Sequence, residues 1–351
     1  MKSFAVWYKR KASVNTEDDV CADVHVNLFE NSKAEWFIDF GLKISNIDVV
    51  DKVYLYVPFL ISDKGNIADL AHLMDTKLLK ALFNDNFHVV EGPPKRRKIN
   101  LRGEDLIIYQ LTVEQEIELC AINDAVESGT ILAINTGDIT EPVNDSDGFN
   151  DIKLYYFRFR IAVRGSSSKV INLEVDDISI TDCSLRKTEI IDFRLNNIRS
   201  LTDVVQNEIN KGTLFSLRAV HFLILKNAKD LLLYPAGNVS TRMLEDYLWR
   251  DYFSDVDSND IGDLIAYHFK EKYTENKSEG KTAKGISEFN VLVRFSVSMS
   301  TKKAVACVVF SAIIINIISS FLYDKKNIII SFLCDIISNN FGNMLDIFLG
   351  R

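Results

Sequence analysis

The sequence predicts an α+β protein: a β-rich cytosolic domain (sandwich or barrel-like), then a mixed α/β region, then a C-terminal pair of membrane helices. Three observations carry that prediction. In Trp36–Ile44 the apolar residues Trp36, Ile38, Phe40, Leu42 and Ile44 alternate with a more polar set, the period of a strand with one buried face. From about Leu201 onward, stretches with helical spacing are interleaved with strands. The run Ala304–Tyr323 holds no charge, Gly or Pro, and as a helix it spans roughly 30 Å, the thickness of bilayer hydrocarbon. The resulting division is 1–200, 201–300 with a linker at 274–287, and 301–351.

Taken in order, Val20–Phe29, Val53–Leu60, Asp105–Leu111 and Thr130–Ile134 read as further strands between Asn, Asp, Gly and Lys clusters. One helix is expected among them, because Ile67, Leu70, Ala71, Met74, Leu78 and Leu82 form a helical stripe. After a loop at Thr136–Asp151 comes the strongest strand, Leu154–Val163. Tyr155, Phe157, Phe159, Ile161 and Val163 make one face; Tyr156, Arg158 and Arg160 lie on the other. Strands follow at Val170–Val175 and Glu189–Leu195. Then a helix is expected at Leu201–Asn210, a strand at Leu214–Leu225, and helices at Ser240–Phe253 and Ile261–Tyr273. Thr274–Ser287 has no periodicity, and Phe289–Met299 alternates as a last strand.

In the tail, Lys302 and Lys303 precede the apolar run and Lys325 and Lys326 follow it, the placing of cations at headgroups. A second helix is expected over about 327–349. Its polar positions, among them Ser331, Asp335, Asn339, Asn343 and Asp346, step by three or four along one stripe. In a ring of subunits such a stripe lines a pore, and its carboxylates favour cations; a helix lying in the membrane interface is the alternative.

Charge divides along the chain. Residues 301–351 carry five cations and three carboxylates, net +2, so the chain's −8 leaves −10 over residues 1–300. An acidic body of that kind is unsuited to coating nucleic acid, and makes any basic patch in it conspicuous. No secretory signal opens the sequence, so residues 1–300 are expected in the cytoplasm and the tail in the cell inner membrane. The five cysteines, odd in number and scattered, form no disulfide framework.

Catalytic motifs are few. Gly280-Lys281-Thr282 lacks the leading glycine of a phosphate-binding loop, since Glu275 stands there. Asp255, Asp257, Asn259 and Asp260 imitate a calcium loop without its glycine or closing glutamate. His25, His72, His88, His221 and His268 are far apart in sequence and read as structural. No catalytic residue, metal or cofactor is assigned. Two basic features stand out. Lys95, Arg96, Arg97, Lys98 and Arg102 crowd into eight residues after a diproline, a pattern suited to phosphate. Tyr156, Arg158 and Arg160 interleave an aromatic with cations on one strand face, which suits a base and its phosphates.

This order of parts resembles bacterial anti-phage membrane effectors, nearest the channel-forming effector of Hailong systems. The resemblance implies a homo-oligomer in the lipid bilayer, gated by a nucleotide or oligonucleotide made by a partner nucleotidyltransferase. It transfers no residue. The expected function is a ligand-gated membrane effector and not an enzyme. The alternatives are a tail-anchored adaptor that binds a protein partner without conducting ions, and a membrane-tethered hydrolase.

Overall fold

A computed structural model describes residues 2–12, 19–83, 85–123, 128–143, 148–164, 172–175, 186–235, 237–256, 261–273, 285–298 and 301–325. The first strands are β1 (Ala5–Arg10), β2 (Cys21–Glu30), β3 (Trp36–Ile44), β4 (Val50–Val57) and β5 (Ile67–Asp69), followed by α1 (Thr76–Phe83). Next come β6 (Val89–Glu91), β7 (Arg96–Leu101), β8 (Glu104–Tyr109), the single turn α2 (Val113–Glu116), β9 (Ile117–Asn123) and β10 (Ser128–Asn135). β11 (Tyr155–Val163), β12 (Asn172–Val175) and β13 (Arg186–Leu195) lead to α3 (Asp203–Asn210) and β14 (Thr213–Leu214). The remainder is β15 (Ser216–Asn227), β16 (Leu231–Pro235), β17 (Val239–Met243), α4 (Asp246–Trp249), β18 (Leu264–Lys272), β19 (Phe289–Ser298) and α5 (Thr301–Asp324).

Three sheets result. The largest, ten strands, runs β17-β18-β15-β2-β3-β11-β8-β7-β6 with β5 also paired to β11. A five-stranded sheet runs β14-β1-β4-β10-β9, and a four-stranded one β12-β13-β19-β16. Alternation explains the packing. Val24, Val26 and Leu28 of β2, Phe40 and Leu42 of β3, Phe157 and Phe159 of β11, and Phe222 and Ile224 of β15 turn to one face of the large sheet. There they join Val53 and Leu55 of β4 and Phe193, Val293 and Phe295 of the four-stranded sheet in one apolar core. The ring centroids of Phe193 and Phe222, stacked in that core, are 4.3 Å apart. α3 closes the far side of the five-stranded sheet, with Val205 and Ile209 against Trp7 and Tyr56. Its start is capped by the Thr202 hydroxyl, which accepts from the Val205 N–H. On the other face of the large sheet, α1, α4 and a 3₁₀ segment at Asp251–Val256 cover a second apolar cluster around Phe29, Leu78, Leu79, Trp249 and Phe253.

The chain divides into two compact units: 1–177 with 187–297, and 178–186 with 298–351. In the second unit, the described structure includes α5, a 24-residue helix whose described apolar side chains from Val308 to Tyr323 are exposed.

The structure corrects the expected fold class in two places. The described residues of 201–300 are built mainly into strands. Where a helix was expected at Ile261–Tyr273 there is β18, paired with β15 over nine residues. Ile261, Leu264, Ile265 and His268 fit helical spacing, yet Tyr267 and Phe269 enter the core while His268, Lys270 and Lys272 take the opposite face. Cross-strand pairing decided between the two periods. Ser240–Phe253 likewise divides into β17, the single turn α4 and part of the 3₁₀ segment. The expected helix through Ile67–Leu82 begins only at Thr76, where the Asp75 carboxylate accepts from the Leu78 N–H at 2.7 Å.

The second correction concerns the tail. Among the described residues no helix is long and apolar enough to cross a membrane. The membrane-helix pair, the ion-channel assignment and the inner-membrane location thereby lose their support. The segment 327–349, with Ser331, Asp335, Asn339, Asn343 and Asp346, lies outside the described residues.

Candidate functional site

The face of the large sheet that turns away from the main core carries, beside the second apolar cluster, a set of polar side chains that strand register orders. β15 and β2 are parallel, with His221 opposite His25 and Ala219 opposite Asp23. β18 sets Lys270 opposite His221, Lys272 opposite Ala219 and His268 opposite Leu223. On the other side of β2, Gly41 lies opposite His25 and Lys43 opposite Asp23. β11 continues the rows with Arg158 beside Gly41, Tyr156 beside Lys43 and Arg160 beside Asp39. One row therefore reads Lys270, His221, His25, Gly41, Arg158 across five strands. Gly41 is required there, because a Cβ at this position would overlap the Tyr156 hydroxyl.

At the β18–β15–β2 end this face opens into a pocket of about 630 Å³. Phe83 of α1 and Trp249 of α4 are among its walls. Arg102 reaches it from the β7–β8 hairpin tip, where Arg102 and Gly103 both have positive φ, 55° and 91°, as a two-residue turn of this hand demands. On the floor, the His25 and His221 ring centroids are 4.8 Å apart and those of His221 and His268 5.1 Å. His221 Nδ1 and His268 Nε2 are 3.0 Å apart, so one proton lies between them. His25 Nδ1 is 3.3 Å from the Tyr156 hydroxyl, which accepts from Arg158 Nη1 at 2.9 Å. The Tyr156 proton is thus free to point to His25.

Cations dominate the lining. Lys43 pairs with Asp23 at 2.5 Å, and Arg102 is 3.6 Å from Asp85. Arg218, Arg242, Lys270 and Lys272 also line the pocket, and none of the four has a carboxylate partner among the described residues. The Arg242 guanidinium instead lies 6.0 Å from the centroid of the Trp249 ring. Burial and the neighbouring Lys272 lower the pKa of Lys270. Burial, then His268, Lys270 and Lys272, pushes His221 down to about 3. Burial, then Lys270 and Arg242, pushes His268 down to about 4. His25 is lowered well below 6.5 by burial, His221 and Arg158. All three imidazoles are neutral at pH 7 in a field that favours anions. No cluster of His, Cys, Asp and Glu suited to a metal ion occurs among the described residues, and the surrounding cations oppose one.

The residues expected to bind ligand are dispersed. Arg102 lines the pocket, and Tyr156 stands directly behind His25. Arg158 and Arg160 are buried. Arg158 Nε donates to the Tyr252 hydroxyl at 2.6 Å, and that hydroxyl donates to Asp39 at 2.7 Å. Arg160 grips Asp39 with two nitrogens, at 2.7 and 3.2 Å, and reaches Asp255 at 2.8 Å. Lys95 pairs with Glu116 at 3.0 Å. Arg96 donates to the carbonyls of Ile139 and Glu141, and Arg97 to those of Ala71 and Met74. Lys98 lies 5.3 Å from the Phe149 ring centroid. The basic run thus fastens its own hairpin to neighbouring loops.

Sequence reading passed over the three histidines because 196 residues separate His25 from His221. A signal was present in β2, whose alternate positions Asp23, His25 and Asn27 are polar in an otherwise apolar strand. In β18 the matching signal, His268, Lys270 and Lys272, was absorbed by the helical reading.

The fold and the pocket define a class: a β-rich module with an open, cationic, histidine-floored cavity on one sheet face. No family model matches this chain, and no curated protein matches it. Neither comparison links it to anti-phage effectors.

Proposed function

We propose that the chain is a binding module for a phosphate-bearing, nucleotide-like anion, held in this pocket, and that it acts by binding rather than turnover. The single observation behind the reading is that Arg218, Arg242, Lys270 and Lys272 share one cavity and none of them meets a carboxylate among the described residues, Asp23 of the lining being paired with Lys43. Like charges so placed repel one another, and a polyanion relieves the repulsion while accepting charge-assisted hydrogen bonds. The cavity is within the roughly 300–1,000 Å³ of ordinary ligand sites. Phe83 and Tyr273 on its walls offer aromatic surface for a base.

Calorimetric titration with ATP as the probe tests it. Wild type is expected to bind, with affinity falling as salt rises. Arg218→Ala combined with Lys272→Ala should weaken binding more than tenfold, since charge-assisted contacts contribute on the order of 1.5–3 kcal/mol each when desolvated and less when wet. ATP that fails to bind, or binds the double variant equally well, overturns the reading. Release of phosphate or pyrophosphate during the titration would replace binding with turnover.

A further inference from the structure

We propose that the His221–His268 pair couples anion binding to proton uptake, so that the pocket holds its ligand more tightly as pH falls. The inference rests on the anion-binding reading and adds its regulation. Between their facing nitrogens, 3.0 Å apart, the two rings hold one proton. A second proton there would face Lys270 and Lys272 on β18, Arg218 on β15, Arg242 on β17 and Arg102 on the β7–β8 turn. From the β2 and β3 side it meets His25 and the Lys43–Asp23 pair, with Arg158 and Tyr156 of β11 behind them. Asp23 is the only carboxylate among the described residues that line the pocket, and Lys43 pairs with it. The cations therefore keep both rings neutral.

A dianion in the pocket reverses that balance. It neutralises part of the cationic field and offers acceptors to a ring N–H, so the second proton becomes favourable with the anion in place. Coupling of this kind is reciprocal: if the anion favours the proton, the proton favours the anion by the same factor. For one proton taken up, affinity changes up to tenfold per pH unit between the pair's titration range in the free protein and that in the complex.

Inorganic sulfate is the suitable probe, because it remains a dianion from pH 8 to pH 5 and contributes no titration of its own. The full chain is titrated calorimetrically with sulfate across that range, in pairs of buffers with different ionisation enthalpies. The expected result is net proton uptake on binding, up to one per site, and affinity rising severalfold or more toward pH 5. His221→Gln with His268→Gln should still bind at pH 8 and lose the pH dependence. Wild-type affinity that is flat with pH, or proton uptake unchanged in the double variant, overturns the coupling and leaves the anion site standing. No sulfate binding at any pH overturns both.

Discussion

The two ends of one sheet face make opposite use of the same residue types. At the β11 end, Arg158 and Arg160 are buried and saturated: Tyr156, Tyr252, Asp39 and Asp255 take up their donors. At the β18 end, Arg242, Lys270 and Lys272 are exposed and meet no described carboxylate. Both ends follow from alternation on strands in register. The 3₁₀ segment Asp251–Val256 makes the difference, carrying Tyr252 and Asp255 over the β11 end. Arginine on a strand face is therefore structural where a covering element supplies acceptors, and available to a ligand where none does.

Breaking the closed end should have the largest effect. Asp39→Asn leaves Arg160 buried without its main counter-charge, and removing one partner of a buried pair costs about 3–5 kcal/mol. The midpoint of denaturant unfolding should fall accordingly; a shift equivalent to less than 1 kcal/mol would mean the network is dispensable. Gly41→Ala comes next. The added methyl meets the Tyr156 hydroxyl and Arg158, and overpacking of this kind costs about 1–3 kcal/mol. Because Tyr156 touches His25, the same variant should also disturb ATP binding, which Asp39→Asn should alter less.

Acid sharpens the comparison at the open end. His221 and His268 have folded pKa values near 3 and 4 against 6.5 unfolded, so below pH 6.5 the unfolded chain binds more protons and stability falls. Their contribution is fully present above pH 6.5 and lost progressively toward pH 4. Asp69, which burial raises from 3.8 to about 6, works the other way between those values, since its proton is bound more tightly in the folded chain. Partial exposure screens all of these groups, so the net loss between pH 7 and pH 5 should be about 1–2 kcal/mol in denaturant titrations. His221→Gln with His268→Gln should flatten the slope; an unchanged slope would place the titration elsewhere. The smallest effect has the opposite sign. Lys272→Gln relieves repulsion on Lys270 and should raise stability by a few tenths of a kcal/mol at low salt, vanishing at high salt. Destabilisation instead would show that Lys272 has an attractive partner.

By itself the sequence determined which strands exist across much of the chain and which face of each is apolar. β2, β3, β11, β15 and β19 were legible from alternation, because a half-buried strand must repeat every two residues. It also marked Tyr156, Arg158 and Arg160 as a polar face within an apolar domain. Tertiary structure decided what those residues do. Asp39 and Tyr252 lie 213 positions apart and meet through a 2.7 Å hydrogen bond; no local pattern announces such a pair. The helix expected at Ile261–Tyr273 became a strand because nine pairings with β15 were available to it. His25, His221 and His268 became one cluster through the register of three strands, two of them parallel. Periodicity is a property of neighbours along the chain, and it fixes faces. Register is a property of neighbours across the sheet, and it alone assembled the pocket.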